Sequence, residues 1–337
     1  MGQPRRTQIA LDATPYYHLV SRCVRRQFLC GDDPLTGIDY SHRREWIRMR
    51  LGRLVDAFAV KLCAYAVMSN HYHLVVRVDE SDAMSWSPVE VLRRWLSVFK
   101  GPAWMHEMIK ADHSTGLHPG MKRVIEAYRS RLMSISWFMR CLNEPIARRA
   151  NQEDGVTGHF WQGRYRCQAL ADEGAVLAAM AYVDLNPVRA GIVDRPEAAS
   201  ECSANQRFND AGTGLGSDSQ SPSIMAFDGS HSPAGAEALP GHELEYLELL
   251  EWTGRCIVRP DSAVIATELP PVLARLGLAA SGMMEFVTGE RRYNQSVLGH
   301  ASSLSGLARQ FGRRYVRGYR GVAGLFADVG RGFSPTG

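Results

Sequence analysis

The stretch AVMSNHYHLVVRV, residues 66–78, indicates the fold class and carries the first functional signal. Residues two apart on a strand point to the same face, so His71 and His73 project together, away from Tyr72 and Leu74. Paired imidazoles suit a transition metal, or Mg²⁺ or Mn²⁺ with added oxygen ligands. A His–apolar–His triplet also arises by chance in a chain with 11 histidines, so it is a weak motif by itself.

A second signal lies in ADEGAVLAAMAYVDLNPVRAGIV, residues 171–193. Asp172 is a typical helix N-cap, an Ala- and Leu-rich run follows it, and Pro187 ends the predicted helix. Tyr182 and Asn186 are four residues apart, which places them one turn apart on one helix face. Asn186 precedes a proline and is therefore biased away from helical geometry. Beside a metal, Tyr182 is a candidate nucleophile; the alternative is a buried aromatic of an amphipathic helix.

Hydrophobic periodicity predicts alternating strands and helices in the first part of the chain. In order, we expect a strand at 16–23, a helix at 40–58, a hairpin at 61–78, a helix at 88–99, a strand at 164–170 and the tyrosine helix at 172–185. This order is the split βαβ of a ferredoxin-like antiparallel sheet, so the predicted fold class is α+β. Both histidines then lie on a central strand, a rigid support for metal ligands.

Four ordered blocks resemble a known family. They are YHLVSRC at 17–23, MSNHYHLVV at 68–76, GHFWQGRYRCQAL at 158–170 and AYVDLNPVRAGIV at 181–193. Over most of residues 10–195 the chain resembles the HUH superfamily of single-tyrosine transposases, most closely the REP-associated tyrosine transposases, an insertion-sequence-200-like group.

The resemblance implies an HUH nuclease fold with a specific set of site residues. His71 and His73 correspond to the metal ligands, Tyr182 to the nucleophile and Asn186 to the third ligand, with Mg²⁺ or Mn²⁺ as the cofactor. The implied enzyme is a DNA transposase that nicks and rejoins single-stranded DNA. It acts at hairpin-forming palindromes through a 5′-phosphotyrosine intermediate.

Two other functions remain open from the residues alone. A non-catalytic nucleic-acid-binding regulator on the same fold would have the same basic and aromatic surfaces. A metal-dependent phosphodiesterase that activates water would use the histidines and leave Tyr182 a structural residue. The base that activates Tyr182 is not assigned, and Asp184 and His159 are candidates for it.

Clustered arginines predict contacts with nucleic acid. The net charge is only +4, but the arginines occur in groups with aromatic residues among them. Guanidinium groups bind phosphates and aromatic rings stack on bases in proteins that hold single strands, although such runs can also be solvated helix faces. The residues predicted to contact single-stranded or hairpin DNA are Arg22, Arg43, Arg131, Arg140, Arg164, Arg313, Arg314 and Arg317.

Composition divides the chain into three predicted parts. Residues 1–199 form the catalytic domain, with a helical insertion at about 101–154. Residues 200–241 are rich in Ser, Gly, Ala and Asp, the composition of a flexible linker. Residues 242–337 form a small all-α, basic domain, in which the segment 291–320 has the densest arginines.

The compartment is also predicted from composition. Seven cysteines without a CxxC pair argue against a disulfide framework and a structural zinc site, so we expect the reducing cytoplasm of a bacterium, with association with the nucleoid when DNA is bound. No apolar stretch is long enough to span a membrane, and MGQPRRTQIALD lacks the apolar region of a signal peptide. A homodimer is compatible with the sequence, which does not fix the oligomeric state.

Overall fold

The computed structural model describes residues 8–24, 28–34, 36–112, 117–213, 221–228, 238–258, 269–289, 296–310 and 324–326. The first elements are β1 (Tyr16–Arg22), α1 (His42–Ala57), β2 (Val60–Val67) and β3 (His71–Val78). Next come α2 (Glu80–Ser85), α3 (Pro88–Val98), α4 (Ala103–Ala111), α5 (Pro119–Leu132) and α6 (Ile135–Glu153), the last three forming the predicted helical insertion.

The remaining elements begin with the strand and helix of the predicted site. They are β4 (Arg166–Leu170), α7 (Glu173–Asp184), α8 (Asn186–Arg189), a 3-10 turn (Pro196–Ala198), α9 (Ser203–Thr213), α10 (Glu243–Val258), α11 (Pro271–Arg275), α12 (Ala280–Thr288), β5 (Val297–Leu298) and α13 (Ala301–Gln310). No helix in the described ranges is long and apolar enough to cross a membrane.

The strands form one sheet in the order β2-β3-β1-β4-β5. The pairs β1–β3, β1–β4 and β2–β3 are antiparallel, and β5 joins β4 in parallel. The first four strands therefore have the predicted split βαβ arrangement, and the α+β fold class is confirmed. β5 was not predicted, and it comes from a part of the chain that was expected to be entirely helical.

Side-chain alternation on the strands separates two helical layers. Tyr17, Leu19 and Leu74 belong to the core that the sheet forms with α1, α3 and α6. On the other face, Ala64 and Val75 belong to a second core that includes α7. Since His71 and His73 alternate in step with Val75, they point to the α7 side.

α7 is apolar all round because it is covered on both sides. Asp172 caps it by accepting the Ala175 N–H at 2.9 Å, and the side chains from Gly174 to Asp184 are buried. At its last residue, the Asp184 carboxylate accepts hydrogen bonds from the Ser203 and Tyr246 hydroxyls at 2.5 and 2.6 Å. Burial raises the pKa of Asp184. Elements beyond residue 200 thus pack directly on the tyrosine helix.

The segment 200–241, which composition predicts as a linker, is packed where it is described. Cys202 and Ile224 form isolated β-bridges with residues of β2, and the buried Arg207 donates to the Cys63 carbonyl at 2.9 Å. Composition does not reveal this packing because it depends on long-range backbone bonds and buried polar side chains. Arg313, Arg314 and Arg317 lie outside the described residues, so their contact with DNA stays a prediction.

Candidate active site

A pocket of about 510 Å³ lies on the α7 side of the sheet. His71 and His73 line it from β3, and Tyr182 lines it from α7. The other lining residues come from β1, β4, α8 and the loop before β4: Val20, Arg22, Gln162, Gly163, Arg164, Arg166 and Arg189. The structure therefore brings together both predicted ligand histidines, the predicted nucleophile and two of the arginines predicted to contact DNA.

The two histidines lie side by side, as the strand alternation predicts. Their ring centroids are 4.9 Å apart, and the Tyr182 ring centroid is 5.5 Å from that of His73. Tyr182 itself is 5% exposed, with the Phe286 ring of α12 at 6.1 Å on its outer side. The tyrosine and the histidines thus share one small space between the sheet and α7.

Hydrogen bonds at Nδ1 leave Nε2 of each histidine as the ring nitrogen that could bind a metal ion. His71 Nδ1 lies 2.6 Å from Asn70 Oδ1, an acceptor, so the His71 proton is on Nδ1. His73 Nδ1 lies 2.9 Å from His18 Nε2, and His73 Nε2 is buried without a hydrogen-bond partner. Because a buried N–H without an acceptor is unfavourable, we assign the His73 proton to Nδ1 and a lone pair to Nε2.

His18 is a functional candidate that sequence analysis missed. It is 2% exposed, and its ring stacks on His73 with centroids 5.2 Å apart and planes 9° apart. Outer partners of this kind fix the orientation of ligand histidines. Alternation on β1 places His18 on the same face as Val20 and Arg22, but only the strand register, with Val20 opposite His73, shows that the two imidazoles meet.

Burial keeps these histidines neutral. It lowers the pKa of His18 to about 4 and that of His71 to about 3, where the charges of Arg22 and Arg189 add to the effect. Burial also lowers the pKa of His73 well below its usual range. Near pH 7 the imidazoles are therefore in the form that binds metal ions.

Arginines give the pocket its charge. Arg22, Arg164, Arg166 and Arg189 line it, and no Asp or Glu is among its lining residues in the described part of the chain. Guanidinium groups pair well with phosphate oxygens. The pocket is therefore suited to a phosphodiester.

Arg189 is the second candidate that sequence analysis missed. Its guanidinium carbon lies 4.7 Å from the centroid of the Tyr182 ring. Nη2 donates to Asn186 Oδ1 at 2.7 Å, while Nη1 is buried and has no hydrogen-bond partner. An orphaned, charged N–H beside the tyrosine indicates a site for an anion.

Asn186 is not among the residues that line the pocket. α7 ends at Asp184 and α8 begins at Asn186, with Pro187 as its next residue. The Asn186 side chain donates to the Tyr182 carbonyl at 3.4 Å, and its oxygen accepts from Arg189. That oxygen orients Arg189, so its role as a metal ligand stays a prediction.

Three of the other arginines predicted to contact DNA lie outside this pocket. Arg43 is 1% exposed and forms ion pairs with Glu153 and Asp154, which occupy its guanidinium. Arg131 and Arg140 lie over the Trp137 ring, with guanidinium carbons 4.7 and 5.4 Å from its centroid. Of these three, Arg131 and Arg140 are available to a ligand on another surface.

The donor set fits a divalent ion that needs ligands from the substrate. His71 and His73 present two neutral imidazoles, and His73 Nε2 is an orphaned buried acceptor. The described residues contain no group of three or more His, Cys, Asp or Glu that could hold a metal ion. Phosphate oxygens would have to complete the coordination.

Among known proteins, one distant structural match is found. Neither the protein-family models nor the curated proteins include a match to this chain. Among solved structures, a REP-associated tyrosine transposase bound to a REP hairpin matches with 13% identity and a TM-score of 0.33, covering 70% of this chain and 100% of that chain. Similarity this low supports no functional conclusion.

We predict that His18→Ala weakens Mn²⁺ binding by roughly 10- to 100-fold, because His73 loses the partner that fixes its ring. His18→Gln, which keeps an acceptor, should recover part of the affinity. Titration of Mn²⁺ followed by electron paramagnetic resonance measures this directly. The exposed His159 supplies a control, His159→Ala, which should bind as the wild type does. Unchanged affinity in a folded His18→Ala protein would show that His18 only packs.

Proposed function

We propose that the chain is a single-strand DNA transposase of the REP-associated tyrosine type, which cuts and rejoins DNA at hairpin-forming palindromes through Tyr182. The observation that carries the proposal is the meeting of Tyr182, His71, His73 and Arg189 in one positively charged pocket. The four ordered sequence blocks support the choice of family. A regulator without catalysis would not need the tyrosine, the histidines and an orphaned guanidinium N–H to converge.

The arginines would bind and orient the scissile phosphodiester. Arg189 is held by Asn186 above the Tyr182 ring, so a phosphate bound at its free Nη1 lies beside the phenol. Arg22, from β1, adds positive charge on the side of His71. Preorganised donors of this kind stabilise the charge that develops on phosphate oxygens.

Tyr182 would supply the nucleophile. Its oxygen forms a bond to phosphorus while the bond from phosphorus to the 3′-oxygen breaks; the phenol loses its proton and the 3′-oxygen gains one. The products are a 5′-phosphotyrosine and a free 3′-hydroxyl. Because the phosphodiester bond energy is kept, a second 3′-hydroxyl can reverse the step and join strands.

Neither of the proposed bases lines the pocket. The Asp184 carboxylate faces Ser203 and Tyr246, and His159 is exposed elsewhere. His71 and His73 would hold a divalent ion, which would supply polarisation of the phosphate and neutralisation of charge on its oxygens. Two imidazoles without a carboxylate favour Mn²⁺ over Mg²⁺, which prefers oxygen ligands.

We predict that Tyr182→Phe abolishes cleavage and covalent adduct but leaves binding of a hairpin oligonucleotide unchanged, because only the attacking oxygen is lost. A denaturing gel of labelled DNA measures both products. Tyr165→Phe is the matched control, since the Tyr165 hydroxyl lies 3.1 Å from Ser136 and does not line the pocket. Cleavage by Tyr182→Phe near the wild-type rate would rule out the nucleophile, and cleavage without any adduct would indicate a hydrolase.

Removal of the metal should stop the reaction. EDTA, His71→Ala and His73→Ala should each abolish cleavage, and Mn²⁺ should restore the wild type at lower concentration than Mg²⁺. A cleavage assay over a series of concentrations of each ion tests this. Activity that persists in EDTA would contradict a metal-assisted reaction.

Because Asn186 contacts Arg189, substitutions at these two residues should have non-additive effects on the rate of cleavage. Arg189→Ala should slow single-turnover cleavage by about 100-fold, since donors to developing charge have effects of this size. Asn186→Ala should slow it less, and the double variant should be no slower than Arg189→Ala. If Asn186 were instead an independent metal ligand, the two losses would multiply and Mn²⁺ affinity would fall in Asn186→Ala.

A further inference from the structure

A second basic groove lies in the helical layer on the other side of the sheet from Tyr182. It has a volume of about 740 Å³ and is lined by residues of α1, the end of α3 and α6. These helices belong to the core that includes Tyr17, Leu19 and Leu74, whereas Tyr182 belongs to the core on the opposite face. The groove is therefore separate from the pocket described above.

The groove has a strong positive charge. Arg50, Arg140, Arg148 and Arg149 line it together with one acidic residue, Glu144. Glu144 forms ion pairs with both Arg140, at 3.1 Å, and Arg148. The side chains of Arg140 and Arg148 are 63% and 78% exposed. Exposed pairs of this kind contribute little to stability, so a phosphate can replace the carboxylate at either arginine.

Aromatic rings accompany these arginines. Trp137 and Phe99 line the groove with their ring centroids 6.2 Å apart. The guanidinium of Arg149 lies 3.8 Å from the centroid of the Trp46 ring, and that of Arg140 lies over Trp137. Guanidinium groups held on aromatic faces, next to a partly exposed indole, are the combination used to grip a single strand.

α6 also connects the groove with the strand ends beside the pocket. Asn143 of α6 donates to the Ser21 hydroxyl at 3.0 Å and accepts from the Tyr72 hydroxyl at 2.6 Å. Ser21 and Tyr72 are the neighbours of Arg22 and His71, which line the pocket. Arg140 and Arg148 lie within five residues of Asn143, roughly 8 Å along the helix axis.

We propose that the α6 groove, defined by Arg140, Arg148, Arg149 and Trp137, binds a nucleic-acid strand, with phosphates on the arginines and a base against Trp137. Its assignment to the DNA that is cut rests on the proposed function. Beyond the scissile phosphate, the bound DNA strand passes the end of the β-sheet and continues into the α6 groove. An acidic protein would match the charge but would not need the indole.

Binding of a fluorescent oligothymidine of about 20 nucleotides tests this, measured without metal in the Tyr182→Phe protein over a salt series. Changing Arg140, Arg148 and Arg149 together to Gln should reduce affinity at least tenfold and lower the slope of log affinity against log salt by about 2, or roughly 0.7 per phosphate contact. Trp137→Leu should weaken binding without changing the slope. The matched control is Arg255→Gln, since Arg255 is 58% exposed and pairs with Glu251 with the same i,i+4 spacing as Arg148 and Glu144.

Three results would overturn the proposal: unchanged affinity and slope in the triple variant, an equal loss in Arg255→Gln, or equal competition by polyglutamate of the same charge. Failure of the proposed function has a different signature. A Tyr182→Phe protein that still cleaves refutes the nucleophile but leaves binding in the groove intact. Conversely, the same three substitutions made with Tyr182 intact should still allow cleavage of an oligonucleotide that is too short to reach the groove.

Discussion

The candidate site depends on one packing contact, that of α7 against the sheet face that carries His18 and His73. Strand alternation sends both imidazoles to this face, and antiparallel pairing of β1 with β3 places His18 Nε2 at 2.9 Å from His73 Nδ1. The same contact buries Tyr182 beside His73. Because α7 is covered from outside by α10 and α12, the C-terminal part of the chain helps to hold the tyrosine in place.

Local patterns predicted most of the fold and three of the residues that meet in the candidate site. Period-two alternation and the Asp172 cap located β3 and α7, and with them His71, His73 and Tyr182. His18 and Arg189 were missed because their roles depend on register and on the break between α7 and α8, which no local pattern encodes. Composition predicted a linker in place of α9 for a related reason, since the buried Arg207 donates to the carbonyls of Cys63 and Met225, which are distant in the sequence.

The arginines show the same limit of prediction from local sequence. Arg43 lies in a run of basic residues, yet it is buried against Glu153 and Asp154, which are more than a hundred residues away. Arg189 looks ordinary in the sequence but lies over the Tyr182 ring. In the described part of the chain, arginines outnumber acidic residues among those that line the pocket under α7 and the α6 groove.

The proposed reaction requires that Tyr182 becomes covalently linked to DNA. Trypsin cleaves after Arg166 and after Arg189, which releases a peptide of residues 167–189. Tyr182 is the single tyrosine in this peptide. Mass spectrometry of the trypsin-digested adduct, after incubation with a hairpin substrate and Mn²⁺, should find this peptide carrying a 5′-phosphonucleotide on Tyr182, with a free 3′-hydroxyl on the other DNA fragment. An adduct on Tyr165, or cleavage without any modified peptide, would contradict the account.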